Sequence, residues 1–167
     1  MILVYTGKGK GKTSAAVGQT VRAHGQGLKV AFGQFMKRPD QAGEQTVLSE
    51  ILQERFFACG KGFFRNENAR AEHRKASEEV VQWAEAIFPS VDMLVLDESL
   101  YALGMGILHE AELRSLVAKS MEYGKHLVLT GRGMPDWLRD EADIVTEMTE
   151  IKHVFHEGQQ ARKGIEY

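Results

Sequence analysis

A chain of 167 residues, 43% hydrophobic and 26% charged, has the size and balance of one soluble globular domain spanning residues 1–167. Its 21 basic and 23 acidic residues leave a net charge of −2, so there is no global basic field and no implied nucleic-acid partner. The lone cysteine, Cys59, excludes an internal disulfide and fits a reducing, cytoplasmic compartment, and no apolar run approaches the ~20 residues of a membrane span.

The opening Met1-Ile2-Leu3-Val4-Tyr5-Thr6 lacks the charged region of a signal peptide. Ile2 to Tyr5 predicts a short strand, and Gly7 to Gly11 a glycine-rich turn. The spacing from Thr13 to His24 is helical, with Gly25 and Gly27 as its stop. Leu28 to Met36 predicts a strand, Lys37 to Asp40 a turn, Glu44 to Glu54 a helix and Arg55 to Cys59 a short strand. A long helix follows over Asn66 to Phe88, then a buried-type strand over Val91 to Leu96 that ends in Asp97-Glu98. Glu110 to Tyr123 predicts a helix, His126 to Thr130 a strand, Trp137 to Glu141 a short helix and Ile144-Val145 a last strand. Strands that are uninterrupted apolar runs and alternate with helices predict an α/β fold, a parallel sheet covered on both faces.

The strongest local pattern is Gly7-Lys8-Gly9-Lys10-Gly11-Lys12-Thr13-Ser14, set between a strand and a helix as a phosphate-binding P-loop must be. Glycines let successive N–H groups turn toward phosphate oxygens, and the helix start adds its positive end. Lys12 can neutralise phosphate and the Thr13 hydroxyl can ligate Mg²⁺. The usual spacing puts a glycine five residues before Gly11, where this chain has Thr6. The loop is therefore a shortened variant, or else a solvated basic turn. Lys8 and Lys10 suit either phosphate contact or solvation.

A P-loop enzyme also needs an acidic group at the end of another buried strand to hold its metal. Met93-Leu94-Val95-Leu96-Asp97-Glu98 supplies two. Asp97 as a plain helix N-cap is the bland alternative. With the glycine loop in the same chain, one carboxylate is expected on the metal and the other behind it.

Further runs along the chain carry a family resemblance. They are Arg22-Ala23-His24-Gly25-Gln26-Gly27, Gln34-Phe35-Met36-Lys37, Gly43-Glu44, Gly62-Phe63, Thr130-Gly131-Arg132-Gly133, Ala142 to Met148, Lys152-His153 and Lys163-Gly164-Ile165-Glu166-Tyr167. With the shifted loop and Leu96-Asp97-Glu98, the chain resembles the corrinoid adenosyltransferases of the P-loop, RecA-like type over nearly its whole length. The resemblance implies transfer of the 5′-deoxyadenosyl group of ATP to the cobalt(I) of a reduced corrinoid, with Mg²⁺ as cofactor and triphosphate as leaving group. It implies triphosphate bound in reversed polarity along the loop, a homodimer, and a flavoprotein as possible reductant. Glu98 becomes the direct Mg²⁺ ligand, and Phe63 an aromatic wedge beneath the corrin ring that removes the lower cobalt ligand. Many relatives place a tryptophan two residues after that phenylalanine. Here the place holds Arg65, with Phe64 beside Phe63 as a substitute wedge. Many also carry a segment before the first strand that helps cover the site, so a more open site is expected here.

Arg132 ends a buried strand and suits a phosphate or corrin contact as well as a salt bridge. His153 is placed near the site or in packing with equal ease. The scattered histidines lack zinc-ligand spacing. Arg70, Arg74 and Lys75 among Glu67, Glu72, Glu78 and Glu79 predict a solvated, salt-bridged helix face. Cys59 is expected to be a buried structural thiol. Two other readings fit a P-loop protein: a nucleoside kinase or ATPase on the same fold, and an ATP-binding regulator without turnover.

Overall fold

Apolar runs become central strands because both of their faces must be buried. In the computed structural model, which describes residues 1–62, 67–154 and 158–166, six strands form one sheet. They are β1 (Ile2–Thr6), β2 (Val30–Gln34), β3 (Phe56–Ala58), β4 (Met93–Asp97), β5 (His126–Thr130) and β6 (Ile144–Glu147). Their spatial order is β3-β2-β4-β5-β1-β6 and every pairing is parallel. Parallel neighbours need crossovers. Helices α1 (Lys12–Gly25), α2 (Gly43–Leu52), α3 (Arg70–Ile87), α4 (Ser99–Gly104), α5 (Glu110–Tyr123) and α6 (Asp136–Glu141) lie along them.

Successive strand side chains point to opposite faces, so each strand feeds two cores. Ile2, Val4, Leu94, Leu96, Leu127 and Leu129 pack with Val80 and Ala84 of α3 and Leu113 and Leu116 of α5. Leu3, Val30, Phe32, Val95 and Val128 pack on the other face with Ala16 and Ala23 of α1 and Leu48 and Leu52 of α2. The expected α/β architecture, helices on both faces of a parallel sheet, is thus the one found.

Strand order also locates the site. The chain leaves β1 through α1 toward β2, three places away on one side, while β5 leads through α6 to β6 on the other side of β1. Connections that part in opposite directions open a crevice at the carboxyl ends of the strands. Thr6, Asp97 and Thr130 end β1, β4 and β5 at that crevice.

Three elements depart from expectation. β2 is shorter than 28–36, because Leu28 and Lys29 donate their N–H groups to the Ala23 carbonyl and the Asp92 carboxylate instead of a neighbouring strand. The helix expected over 66–88 is α3 flanked by two 3₁₀ turns, Glu67–Ala69 and Phe88–Ser90, the second holding Pro89. Helix α4, six residues directly after the Asp97-Glu98 pair, was not expected.

The arginine-rich face of α3 is a clamp as well as a salt-bridged surface. Arg74 meets Glu78 at 3.1 Å, but it also pairs with Glu112 through two bonds of 2.6 and 2.8 Å and donates to the Ile107 carbonyl. Arg70 donates to the Met105 carbonyl. Glu112 accepts the His109 N–H as well, so one carboxylate caps α5 and ties it to α3. Burial opposes its ionisation, yet the Arg74 hydrogen bond and the His109 N–H together hold its carboxyl below the ordinary range. A depressed folded pKa means stability that is present above the unfolded value of about 4.3 and lost as pH falls through the folded one. Arg74→Met should therefore cost about 2 kcal/mol at neutral pH and flatten the acid-side loss. Urea unfolding at neutral and at acidic pH measures both, and an unchanged midpoint would remove the clamp.

Candidate active site

The loop between β1 and α1 takes its shape from glycine and from the end of β6. Gly7 and Gly11 adopt φ of 100° and 110°, in the region glycine favours. The Gly9 N–H donates to the Met148 carbonyl at 2.7 Å, and Met148 N–H donates to the Thr6 carbonyl at 2.8 Å. A Cβ on Gly7 or Gly9 would lie 2.4 or 2.7 Å from the Met148 oxygen, so no larger residue fits at either place. Thr6 is the buried last residue of β1, and the left-handed turn begins one residue later at Gly7. This is how the loop dispenses with a glycine at position 6.

Gly11 occupies the N-cap of α1 with no side-chain cap, and no acidic residue sits in the first turn. The first N–H groups of α1 are thus left to an incoming anion. Lys12 is buried and folds back over the loop, donating to the Gly7 carbonyl at 3.0 Å and the Gly9 carbonyl at 2.7 Å. Burial lowers its pKa, with the Glu98 charge acting in opposition. Lys8 and Lys10 are exposed. The Lys8 carbonyl accepts Arg132 Nη2 at 3.3 Å, and Lys10 donates to the Ile165 carbonyl at 2.5 Å, which brings the C-terminal tail to the loop. Ser14 is exposed on the first turn.

The two carboxylates after β4 are set apart by one backbone twist. Asp97 is fully buried and each oxygen is doubly served. Its Oδ1 accepts from Thr13 Oγ1 at 2.9 Å and Thr130 Oγ1 at 2.7 Å, and its Oδ2 from Gln34 Nε2 at 3.1 Å, with Lys37 Nζ at 3.4 Å. It does not cap a helix, because α4 starts at Ser99 and Glu98 holds the N-cap position. Glu98 takes a left-handed φ of 59°, rare for a non-glycine, with its N–H on Thr130 Oγ1 at 2.9 Å. Its side chain lines a pocket of about 280 Å³ together with Lys12, Met36, Lys37, Tyr101 and Arg132. Burial, then the neighbouring Asp97 charge, raises its pKa. Among the described residues no donor is recorded on the Glu98 carboxylate.

Lys37 joins the site from the turn after β2. Burial works against its charge, but Asp97 and Glu44 outweigh it and its pKa is raised. Glu44, at the start of α2, receives it at 2.5 Å and is held below the ordinary carboxylate range against the effect of burial. Gln45 closes the network, donating to Gln34 Oε1 at 2.7 Å and accepting the Gln41 and Ala42 N–H groups. Sequence reasoning assigned no role to Gln34, Lys37, Glu44, Thr130 or Met148. The available signals were that all five fall in the runs that carry the family resemblance, and that Gln34 and Thr130 are polar residues where buried strands end. Phe63, with Phe64 and Arg65, lies outside the described residues. Gly62, the last described residue before it, adopts φ 87°, gives its N–H to the Met36 carbonyl at 2.8 Å and lines the pocket. Cys59 is half-buried, and burial foremost pushes its thiol up to about 11, the behaviour of an unreactive side chain.

Hard oxygen donors suit Mg²⁺, which needs few protein ligands when phosphates share its shell. The Thr13 hydroxyl and the Glu98 carboxylate fit that requirement, and the Asp97 oxygens are already taken.

The parallel sheet and its glycine loop define a P-loop nucleotide-binding protein of RecA-like architecture. The flagellar accessory protein FlaH of Methanocaldococcus jannaschii shares the fold, at a TM-score of 0.57 and 9% identity over 87% of this chain and 69% of that one. A family model described as ATP:corrinoid adenosyltransferase BtuR/CobO/CobP matches residues 1–167, and the chain belongs to that family. It is 36% identical to a corrinoid adenosyltransferase of Pseudomonas aeruginosa, over all of this chain and 83% of that one. The value is 35% for a corrinoid adenosyltransferase of Escherichia coli, over 100% and 85%. ATP-dependent adenosylation of a corrinoid is the activity this membership carries.

The close contact at Gly9 predicts a local effect. Gly9→Ala should weaken ATP binding by about tenfold or more, since the loop must shift to clear Met148. Gly18→Ala, in open space on α1, should instead stabilise the fold by about 1 kcal/mol. Calorimetric ATP titration and thermal unfolding of the two variants separate the effects. Normal ATP affinity in Gly9→Ala would mean the loop is not held by β6.

Proposed function

We propose that this chain transfers the 5′-deoxyadenosyl group of ATP to the cobalt(I) of a reduced corrinoid and releases triphosphate. The carrying observation is the pocket itself, in which Lys12, Lys37 and Arg132 stand near Glu98 while Met36 and Tyr101 form an apolar wall. Cations suit the triphosphate, and the apolar wall suits the adenosyl and corrin groups. Cobalt(I) attacks C5′ with its own electron pair. The bond from C5′ to the phosphate oxygen breaks, its electrons leave with triphosphate, and cobalt ends two electrons more oxidised. No proton need move, so the protein supplies alignment and charge.

Gly7, Gly9 and Gly11 shape the loop, and its N–H groups up to that of Ser14, except the Gly9 N–H already given to Met148, donate to phosphate oxygens at the positive end of α1. Lys12 turns from its loop carbonyls to the triphosphate, and the reversed polarity implied by the family leaves C5′ facing outward. Arg132, Lys8 and Lys10 add charge at the rim. Mg²⁺, held by Thr13 and Glu98, would neutralise charge on the departing group. Asp97 then orients the Thr13 hydroxyl from behind. Phe63 remains the proposed wedge below the corrin ring, on the family resemblance. We further propose a cytoplasmic homodimer served by a flavoprotein reductant. Among the described residues no helix is long and apolar enough to cross a membrane. The deciding experiment mixes protein, MgATP and chemically reduced cobalamin and follows the corrinoid spectrum for a cobalt–carbon bond. Triphosphate must be the product, whereas ADP would mean a kinase or ATPase.

Lys12→Ala and Thr13→Ala should each cost on the order of 2–4 kcal/mol in turnover without unfolding the chain. Near-normal rates in both would reject the loop assignment. The carboxylates should part company in a second pair of variants. Glu98→Gln should keep or raise the melting temperature, because it removes a buried charge whose pKa is already raised, while the Mg²⁺ needed for half activity climbs. Asp97→Asn should lose stability, since Thr13, Thr130, Gln34 and Lys37 all lose their anionic partner. In the wild type, a raised Glu98 pKa means that the Mg²⁺ requirement climbs on acidification before an ordinary carboxylate would protonate. A Mg²⁺ shift in Asp97→Asn alone would exchange the two roles.

A further inference from the structure

The Lys37 ammonium stands inside a cluster of three oxygens. Glu44 Oε1 is 2.5 Å away, Asp97 Oδ2 3.4 Å and Thr13 Oγ1 3.5 Å. Thr13 gives its hydroxyl proton to Asp97 Oδ1, so its lone pairs are what faces Lys37. Those same lone pairs are the ones a metal on Thr13 would use. Gln34 and Gln45 fix the surroundings: Gln34 Nε2 holds Asp97 Oδ2, and Gln45 pins Gln34 to the start of α2 beside Glu44. The ammonium is therefore locked in a preformed cation position rather than reaching out on a flexible stem.

Resting on the adenosyltransferase reading above, we propose that Lys37 is a built-in cation of the metal site, which excludes bare Mg²⁺ and admits the ion only when a triphosphate carries it. Bare Mg²⁺ approaching Thr13 meets the Lys37 charge beside the same oxygen and Lys12 across the pocket, and the repulsion is strong in a partly dry site. MgATP brings a net negative charge instead. For that complex Lys37 and Lys12 are attractive, and Lys37 gives up only its 3.5 Å contact with Thr13 while keeping Glu44 and Asp97. The device binds metal and nucleotide as one unit, so no metal waits at the Thr13 oxygen before ATP arrives. Lys37 is a positioning residue in this scheme, since it acts through the Thr13 and Asp97 oxygens.

The test needs neither corrinoid nor turnover, so its failure leaves the reaction assignment standing. Binding of Mn²⁺ as a spectroscopic substitute for Mg²⁺ is measured by electron paramagnetic resonance without nucleotide, alongside thermal unfolding in MgCl₂ alone. The wild type should take up no Mn²⁺ in the range that saturates its ATP complex, and its melting temperature should not respond to MgCl₂. Lys37→Met, which leaves the Thr13, Asp97 and Glu44 oxygens uncompensated, should bind Mn²⁺ about tenfold or more tightly than the wild type and gain stability on adding MgCl₂. Lys37→Arg, with the charge restored, should behave like the wild type. Nucleotide-free metal binding by the wild type overturns the proposal, and this arm holds even if Lys37→Met does not fold. A folded Lys37→Met that still ignores the metal overturns it equally.

Discussion

The site depends on how a single buried charge is satisfied. Asp97 has no exposure, and an isolated carboxylate in such a place would not stay ionised. Its four neighbours come from four parts of the chain: Thr13 on α1, Gln34 at the end of β2, Lys37 in the turn beyond it, and Thr130 at the end of β5. Each strand end must therefore arrive in register, or a polar group is stranded. The β2–β4 pairing sets Gln34 directly opposite Asp97, and the β4–β5 register, which pairs Leu96 with Leu129, brings Thr130 to the level of Asp97. What looks like a metal-site residue from sequence is also the bolt that joins the phosphate loop's helix to the middle of the sheet.

The same economy governs the loop. A P-loop must expose its N–H groups inward and still keep one shape when no phosphate is present. Here Met148 accepts the Gly9 N–H from the far side, and the Lys12 ammonium ties the loop together by bonding to the Gly7 and Gly9 carbonyls. The close approach of β6 leaves no space for side chains at Gly7 and Gly9, so these glycines answer to packing as much as to backbone angle. Lys10, by contrast, reaches to the Ile165 carbonyl, a contact through which the tail meets the loop.

Much of this was legible in the residues. The apolar runs Met93–Leu96 and Leu127–Leu129 predicted buried parallel strands, and Gly7 to Ser14 between strand and helix predicted the loop. Local pattern could not show which strands are neighbours. Met148 is 139 residues from Gly9, and nothing in either segment announces their contact. Lys37 read as part of a turn and Glu44 as the start of a helix, both within runs of the family resemblance but without a role, because their importance comes from Asp97, more than fifty positions away. Arg74 was read as one charge on a solvated face, since its partner Glu112 lies on another helix. Helix α4 is too short to show a period. The division between Asp97 and Glu98 was half legible: the family resemblance named Glu98 as the metal ligand, and the positive φ that turns the two carboxylates apart left no mark in the sequence.

That separation has a chemical reason. A carboxylate already holding four donors cannot also adapt to a metal that arrives and leaves with each nucleotide. A carboxylate with no donor can adapt, but it is costly while it waits, and the raised pKa of Glu98 records that cost. In the metal role proposed above, placing the two side by side, one fixed and one open, would let the fixed charge keep Thr13 oriented while the open one follows the ligand. The left-handed backbone at Glu98 is the strain this arrangement requires, of order 1–3 kcal/mol for a non-glycine residue. It is tolerated because Thr130 holds the Glu98 N–H and Asp97 at once, so relaxing the backbone would break both bonds. In that proposed role, stability is given up at a carboxylate that, among the described residues, has no donor of its own to hold it.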